Sequence, residues 1–211
     1  MWHAEDVEFL QRAAGRPSRL GVFPGTFNPL TVAHVALGRA ALAHVDEVLF
    51  TLPRVLPHKE YTGASFEERI GMLRSALGGE AGFSIAATKL GLFVEIAEEC
   101  REAYGQSVQL SFLCGRDAAE RIAGWDYGHP GAIVEMLGDF NLLVASRAGD
   151  YRPPPEIEFA VTPLVLECGF DDVSATEVRD RIRRGEPWQD LVPVAIHEQV
   201  RRIYRIHESS V

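Results

Sequence analysis

Lysine is nearly missing from this 211-residue chain, and positive charge of any kind is in deficit. Only two of the 21 basic residues are lysines, Lys59 and Lys89, and 30 acidic residues bring the formal net charge to −9. This balance argues against a nucleic-acid or anionic-membrane partner, because both require a basic face. We expect neither, and a lysine beside a predicted ligand site is therefore informative.

Cysteine is also scarce, and long apolar segments are missing. The three cysteines, Cys100, Cys114 and Cys168, are far apart and lack histidines at metal-ligand spacing, so we expect free thiols in a reducing cytoplasm. No stretch approaches the roughly 18 apolar residues of a membrane span, and the N-terminus lacks the basic and apolar regions of a signal peptide. The 46% hydrophobic and 24% charged fractions are typical of an ordinary globular domain.

What the sequence does contain is a regular alternation of strand-like and helix-like segments. The predicted strands are 20–24, 48–52, 83–87, 108–114 and 142–145, and the predicted helices are 32–45, 65–77, 93–104 and a helix beginning with 118–122. Such alternation predicts an α/β fold with a Rossmann-like, doubly wound parallel sheet in three αβα layers. We assign residues 1–18 to an N-terminal extension and residues 19–211 to a single domain. Ligands in such sheets bind beyond the carboxyl ends of the strands, so we expect the site residues to lie in the loops that follow the strands.

The loop after the first predicted strand leads directly into a helix. It leaves the strand through Gly25, which would let the chain approach a phosphate closely, and places Thr31 as N-cap with His34 at the third helical position. The free N–H groups and positive dipole end of a helix start suit a phosphate, and an imidazole there can donate to a phosphoryl oxygen. The alternative interpretation is that Thr31 only caps the helix and His34 is an ordinary first-turn histidine.

A second well-marked helix start lies towards the C-terminus. Ser174 and Glu177 predict a capping box, and Gly185 predicts the end of that helix. These signals alone require no ligand. Ser174, Thr176 and Arg179 nevertheless share one helix terminus, where two hydroxyls and a guanidinium can converge on a phosphate.

Both helix starts resemble motifs of the nucleotidylyltransferase superfamily. The run GTFNPLTVAH, which ends at His34, resembles its first signature, with Ala33 in place of the commoner glycine, and the run VSATEVR, which ends at Arg179, resembles its Ile-Ser-x-Thr-x-x-Arg motif. The resemblance implies an ATP site in which Thr31 and His34 contact phosphates and the second motif binds the β- and γ-phosphates. The implied ATP-site residues in these two runs are Gly25, Thr26, Phe27, Thr31, His34, Ser174, Thr176 and Arg179.

The segment LPRVLPHK resembles the acceptor loop of bacterial nicotinate-nucleotide adenylyltransferases, with Leu56 in place of a proline. This resemblance implies that Lys59 neutralises the acceptor phosphate, that Gly115 and Asp117 lie against the adenosine ribose, and that Trp125 stacks on the pyridine ring. The structural alternatives are a solvated loop lysine, a helix N-cap at Asp117 and a half-buried packing role for Trp125.

One segment departs from that family and leaves the acceptor open. The family carries Ser-Tyr-Thr after its third strand, near the nicotinate pocket, where this chain reads KLGLFVE from Lys89. We expect AMP transfer from ATP to nicotinate or nicotinamide mononucleotide, with Mg²⁺ accompanying ATP and no dedicated protein cage for the metal. One alternative is pantetheine-phosphate adenylyltransferase, because the run GVFPGTFNPLT also resembles the opening segment of that family. The other alternative is a non-catalytic nucleotide-binding protein. The sequence leaves the oligomeric state open, a homo-oligomer included.

Overall fold

The computed structural model of the chain describes residues 7–54, 63–145, 151–166, 169–170 and 172–206, with side chains described up to residue 204. Within these ranges one sheet contains seven strands: β1 Val7–Gln11, β2 Arg19–Pro24, β3 Glu47–Pro53, β4 Phe83–Thr88, β5 Gln109–Gly115, β6 Asn141–Ala145 and β7 Val161–Leu164. The α-helices are α1 Val32–Ala41, α2 Phe66–Leu77, α3 Phe93–Tyr104, α4 Arg116–Ala123, α5 Ala132–Met136, α6 Ala175–Arg184 and α7 His197–Ile206. None of the helices in these ranges is long and apolar enough to cross a membrane.

The strand order is β1-β4-β3-β2-β5-β6-β7. All neighbouring pairs are parallel except β1 with β4. The chain runs outward from β2 through β3 to β4, and then returns to the other side of β2 with β5 and continues to β7. The order therefore reverses between β2 and β5, which confirms the predicted doubly wound fold.

Alternate residues of the strands enter two separate cores, because successive side chains point to opposite faces of a sheet. In β3, Phe50 packs on the face covered by α1, α2, α6 and α7, whereas Leu49 packs on the face covered by α3, α4 and α5; both are fully buried. Helices thus cover both faces, as the three-layer prediction required. This arrangement also explains why the central strands are almost continuously apolar.

The predicted strand ends differ from the observed ends by at most one residue. Among the helices, the largest difference is at α1, which ends at Ala41 and not at residue 45 as predicted. The chain tightens there into a turn in which the Leu42 and His44 N–H groups donate to carbonyls three residues back, Arg39 and Ala41. Such closure is common at helix ends and leaves the chain free to turn towards β3.

The segment predicted as an N-terminal extension contributes a strand. Val7–Gln11 forms β1, the antiparallel edge strand, which pairs with β4. Just beyond it, the Ala13 N–H donates to the Ser84 hydroxyl at 2.8 Å. The first 18 residues therefore include part of the same sheet.

Cys100 and Cys114 are free and buried. Burial raises the pKa of each thiol to about 12. The predicted free thiols are thus confirmed at these two positions, while Cys168 lies outside the described residues.

Candidate active site

The point where strand order reverses places two loops at one crevice. Strand β2 ends at Pro24 and leads into the loop before α1, and the neighbouring strand β5 ends at Gly115, where α4 begins. In doubly wound sheets this crevice is the usual ligand site. The two segments predicted to hold ATP phosphate and ribose therefore flank the expected position.

Thr31 and His34 form a closed hydrogen-bonded unit at the start of α1. Thr31 is the N-cap, and its hydroxyl accepts from the His34 N–H at 3.4 Å. In return, the Thr31 N–H donates to His34 Nδ1 at 3.0 Å, and the Thr31 hydroxyl lies 2.7 Å from the same nitrogen. Because Nδ1 accepts the backbone N–H, the proton of a neutral ring is on Nε2. The capping arrangement thus fixes both the orientation of the imidazole and the nitrogen that can donate.

Two buried phenylalanines support the imidazole. The Phe27 ring meets the His34 ring edge-on at a centroid distance of 5.3 Å, and Phe23 lies at 5.9 Å. Phe27 has a φ of 45°, which is unusual for a residue with a side chain. A Cβ at Gly25 would lie 2.7 Å from Cζ of Phe27, so the ring occupies the space that only glycine leaves open.

These contacts change two predicted roles in the first loop. Gly25 was expected to allow close approach to phosphate, but its N–H donates to the Thr51 carbonyl at 3.1 Å and its open side receives the Phe27 ring. Thr31 is fully buried and its hydroxyl is bound to His34, so in this conformation that hydroxyl does not reach the surface. Both residues thus contact the groups that surround His34.

The start of α6 is capped on one side only. The Ser174 hydroxyl accepts from the Glu177 N–H at 3.0 Å, as predicted. The reciprocal half of the capping box is not formed, because the Glu177 carboxylate binds Arg181 at 2.8 Å. The Arg181 hydrogen bond also lowers the pKa of Glu177. Gly185 ends the helix as predicted, and it adopts the left-handed conformation with a φ of 68°.

Arg179 joins the two predicted phosphate segments. Its Nη1 donates to the Asn28 carbonyl in the first loop and to the Ala175 carbonyl at 3.1 Å, and its Nη2 donates to the Thr176 hydroxyl at 3.2 Å. Asn28 and Arg179 are 151 positions apart in the chain. The structure therefore brings the first turn of α6 against the loop that enters α1.

Asn28 and Tyr204 were not predicted as site residues, although they organise the same loop. Asn28 is 6% exposed, and its Oδ1 accepts from the Ala64 N–H at 3.1 Å and from the Tyr204 hydroxyl at 2.5 Å. Burial raises the pKa of Tyr204, so the hydroxyl stays protonated and able to donate. Arg69, 3% exposed, donates to the Thr26 carbonyl at 3.0 Å. The available signal for Asn28 was its position within the run GTFNPLTVAH, while Tyr204 had no such signal.

The ribose and ring candidates lie on the other side of the crevice. Gly115 is the N-cap of α4, and a Cβ there would meet nothing within 4 Å, so the protein itself does not require glycine at this position. Asp117 lies in the first turn of α4 and is exposed, which makes the alternative that it caps the helix wrong. Trp125 is 66% exposed, so the half-buried packing alternative is also wrong. Lys59 lies outside the described residues.

Neither a cluster of metal ligands nor a cavity near α4 coincides with the predicted site residues that the structure describes. Among the described residues, no group of three or more His, Cys, Asp or Glu side chains is arranged to hold a metal ion. A cavity of about 460 Å³ lies between α4 and residues 151–154, lined by Arg116, Glu120 and Tyr151 among others. Its lining includes none of the predicted site residues that the structure describes.

The sequence is similar to a known family and to known proteins over most of its length. The cytidylyltransferase-like family matches residues 22–181. A probable nicotinate-nucleotide adenylyltransferase from Gloeobacter violaceus is 31% identical over 193 residues, which cover 83% of this chain and 89% of that protein. A protein of the same name from Carboxydothermus hydrogenoformans is 28% identical over 197 residues, covering 87% and 95% respectively.

Solved structures share the fold. Nicotinic acid mononucleotide adenylyltransferase from Plasmodium falciparum, in complex with NaAD, superposes with a TM-score of 0.66 at 15% identity, covering 91% of this chain and 96% of that one. A putative nicotinate-nucleotide adenylyltransferase from Vibrio parahaemolyticus gives a TM-score of 0.61 at 14% identity, covering 89% and 95%. At these identities the likeness concerns the fold.

Proposed function

The chain belongs to the cytidylyltransferase-like family and is a nucleotidyltransferase, and from this premise we propose that it transfers AMP from ATP to nicotinate or nicotinamide mononucleotide. The products are the corresponding dinucleotide and pyrophosphate. The names of the relatives supply the acceptor class. The observation that carries the proposal is the Arg179 hydrogen bond to the Asn28 carbonyl, because it joins the two segments predicted to hold the triphosphate.

On the ATP side, the proposal gives each residue a role consistent with its contacts. His34 donates from Nε2 to a phosphoryl oxygen, and Thr31 holds the ring in that orientation. The start of α6 supplies the Thr176 hydroxyl, the Arg179 guanidinium and the positive end of the helix dipole to the β- and γ-phosphates. Ser174 caps that helix and so positions these groups.

In the reaction, an oxygen of the acceptor phosphate attacks the α-phosphorus in line with the leaving group. A new P–O bond forms there while the bond from the α-phosphorus to the α–β bridging oxygen breaks, and pyrophosphate departs with that electron pair. No covalent enzyme intermediate is required. Catalysis then rests on positioning and on donors aimed at the charge that develops on phosphoryl oxygens, His34 and Arg179 foremost.

On the acceptor side, we place the mononucleotide between the loop after β3 and the start of α4. Lys59 neutralises its phosphate as a point charge. Trp125 offers an exposed aromatic face on which a pyridine ring can stack. Gly115 and Asp117 take the ribose of ATP, and the open space over Gly115 supports this assignment.

We expect Mg²⁺ to enter as part of the Mg–ATP substrate. The described residues offer no cluster of ligands for a resident ion. A metal bound to the triphosphate oxygens neutralises charge on the leaving group. We also propose a cytoplasmic location, which the two buried free thiols support.

The test is pyrophosphate release from Mg–ATP with nicotinate mononucleotide, nicotinamide mononucleotide and phosphopantetheine at equal concentration. We expect a pyridine mononucleotide to give the highest kcat/KM, and Trp125→Ala to reduce it severely. Phosphopantetheine has no ring to stack, so the same variant would change its turnover much less. A preference for phosphopantetheine, or no reaction with any acceptor, would reject the proposal.

A further inference from the structure

The turn of residues 89–92 connects β4 to α3 at the same sheet edge as the proposed site. The Arg54 N–H, just after β3, donates to the Thr88 carbonyl at 2.8 Å, so this turn adjoins the start of the proposed acceptor loop. Helix α3, which the turn enters, covers the same face of the sheet as α4, the helix that leads to Trp125. The turn therefore borders the region in which we place the acceptor.

Two side-chain carboxylates accept hydrogen bonds from three of the four backbone N–H groups of this turn. Glu99 is 7% exposed; its Oε2 accepts from the Lys89 N–H at 3.0 Å and its Oε1 from the Leu90 N–H at 3.2 Å. Glu95 Oε2 accepts from the Leu92 N–H at 3.0 Å. A turn at a helix start would otherwise offer these N–H groups to an anion. Here the protein's own acids have taken that place.

The exposed side chains at this turn are apolar except for Lys89. Leu90 and Leu92 are 36% and 51% exposed, Val94 in the first turn of α3 is 43% exposed, and Lys89 is exposed beside them. A ligand carboxylate placed against Leu90 and Leu92 would find the N–H groups of residues 89, 90 and 92 already bound, and the negative charge of Glu99 and Glu95 would offset its attraction to the Lys89 ammonium. An uncharged ring substituent is little affected by these charges.

Resting on the proposed function, we propose that Glu99 is a specificity-determining residue that removes the preference for a negatively charged pyridine substituent. It does so by occupying the Lys89 and Leu90 N–H groups and by placing negative charge behind the turn. The enzyme then accepts the carboxamide mononucleotide about as well as the carboxylate mononucleotide. Glu99 acts on the acceptor through the turn and takes no part in the chemical step.

The experiment measures kcat/KM for nicotinate and nicotinamide mononucleotide with wild type, Glu99→Gln and the control Glu98→Gln. Glu98 is exposed and adjacent, so its variant makes the same charge change away from the turn. We expect the two acceptors to differ by about threefold or less in wild type. Glu99→Gln should shift the ratio towards nicotinate by about fivefold or more, the scale for removing one partly screened charge. Glu98→Gln should leave the ratio unchanged, and KM for ATP should stay constant in all three proteins.

The outcomes separate this inference from the proposed function. No dinucleotide from either acceptor would refute the function itself. Dinucleotide formation with the same acceptor ratio in wild type and Glu99→Gln, or an equal shift in the control variant, would refute the role of Glu99 alone. If Glu99→Gln does not fold, the wild-type ratio still decides, because a preference for nicotinate of about tenfold or more contradicts the inference.

Discussion

Replacing Arg179 by lysine tests the link between the two phosphate segments. The guanidinium donates through Nη1 to two carbonyls, those of Asn28 and Ala175, and through Nη2 to the Thr176 hydroxyl. An ammonium keeps the charge but cannot hold these partners and a phosphate in one planar fork. Loss of one charge-assisted hydrogen bond, worth about 1.5–3 kcal/mol, corresponds to roughly 10- to 150-fold weaker ATP binding. Acceptor binding should change by less than about threefold, since Arg179 belongs to the ATP segments.

The assay for Arg179→Lys is steady-state kinetics with each substrate varied in turn, together with titration calorimetry of Mg–ATP. The matched control is Arg183→Lys, on the same helix, where the arginine is 65% exposed and pairs with Asp180. The control should behave as wild type. Equal weakening of both substrates in Arg179→Lys would refute the assignment of this helix start to ATP, as would unchanged ATP affinity in a normally folded variant.

Three further predictions follow from single contacts. His34→Ala should lower kcat by roughly 10²- to 10³-fold while the protein stays folded, with a melting temperature lowered only modestly because the Thr31 N–H loses its acceptor. The exposed His44→Ala should leave kcat unaltered; near-normal turnover of His34→Ala would remove His34 from the mechanism. Gly25→Ala places a Cβ 2.7 Å from the phenyl ring packed over it. Such overpacking should cost about 1–3 kcal/mol and lower Tm, while Gly71→Ala, with nothing within 4 Å, should not lower it; equal Tm values would show that the ring can move aside. In a Cys168→Ser variant, the two buried thiols, whose pKa burial raises to about 12, should not react with a disulfide reagent at pH 8 until the protein is unfolded; rapid labelling of the native protein would contradict their burial.

The parts of the fold that the sequence predicts well are those governed by local rules. Thr31 and Ser174 both cap helices as expected, because the preference of a hydroxyl for the N-cap depends only on the next three residues. The five predicted strands, β2 to β6, were found within one residue of their ends because they are largely apolar runs between turn signals. The short, partly exposed strand β7 was not predicted. The position of the site segments at the carboxyl ends of β2 and β5 then follows from the strand order.

Features that depend on distant partners were not predictable in this way. Tyr204 meets Asn28 across 176 positions, and neither residue type indicates such a contact. A competition between two local partners was equally hard to predict: the Glu177 carboxylate binds Arg181, four residues later, and does not accept from the Ser174 N–H. Strand β1 is a short, partly exposed edge strand whose pairing depends on β4, more than 70 residues later. Contacts such as Tyr204 with Asn28 and β1 with β4 join residues that are far apart in the chain, and local sequence patterns do not indicate them.

The proposed attack of the acceptor phosphate on the α-phosphorus can be followed with nicotinate mononucleotide whose phosphate carries ¹⁸O. The protein is incubated with this acceptor and unlabelled Mg–ATP, and the dinucleotide and pyrophosphate are analysed by mass spectrometry. We expect the dinucleotide to retain all of the label, including that in the new bridging oxygen, and the pyrophosphate to be unlabelled. Label in the pyrophosphate, or ATP consumption without labelled dinucleotide, would contradict the proposed attack.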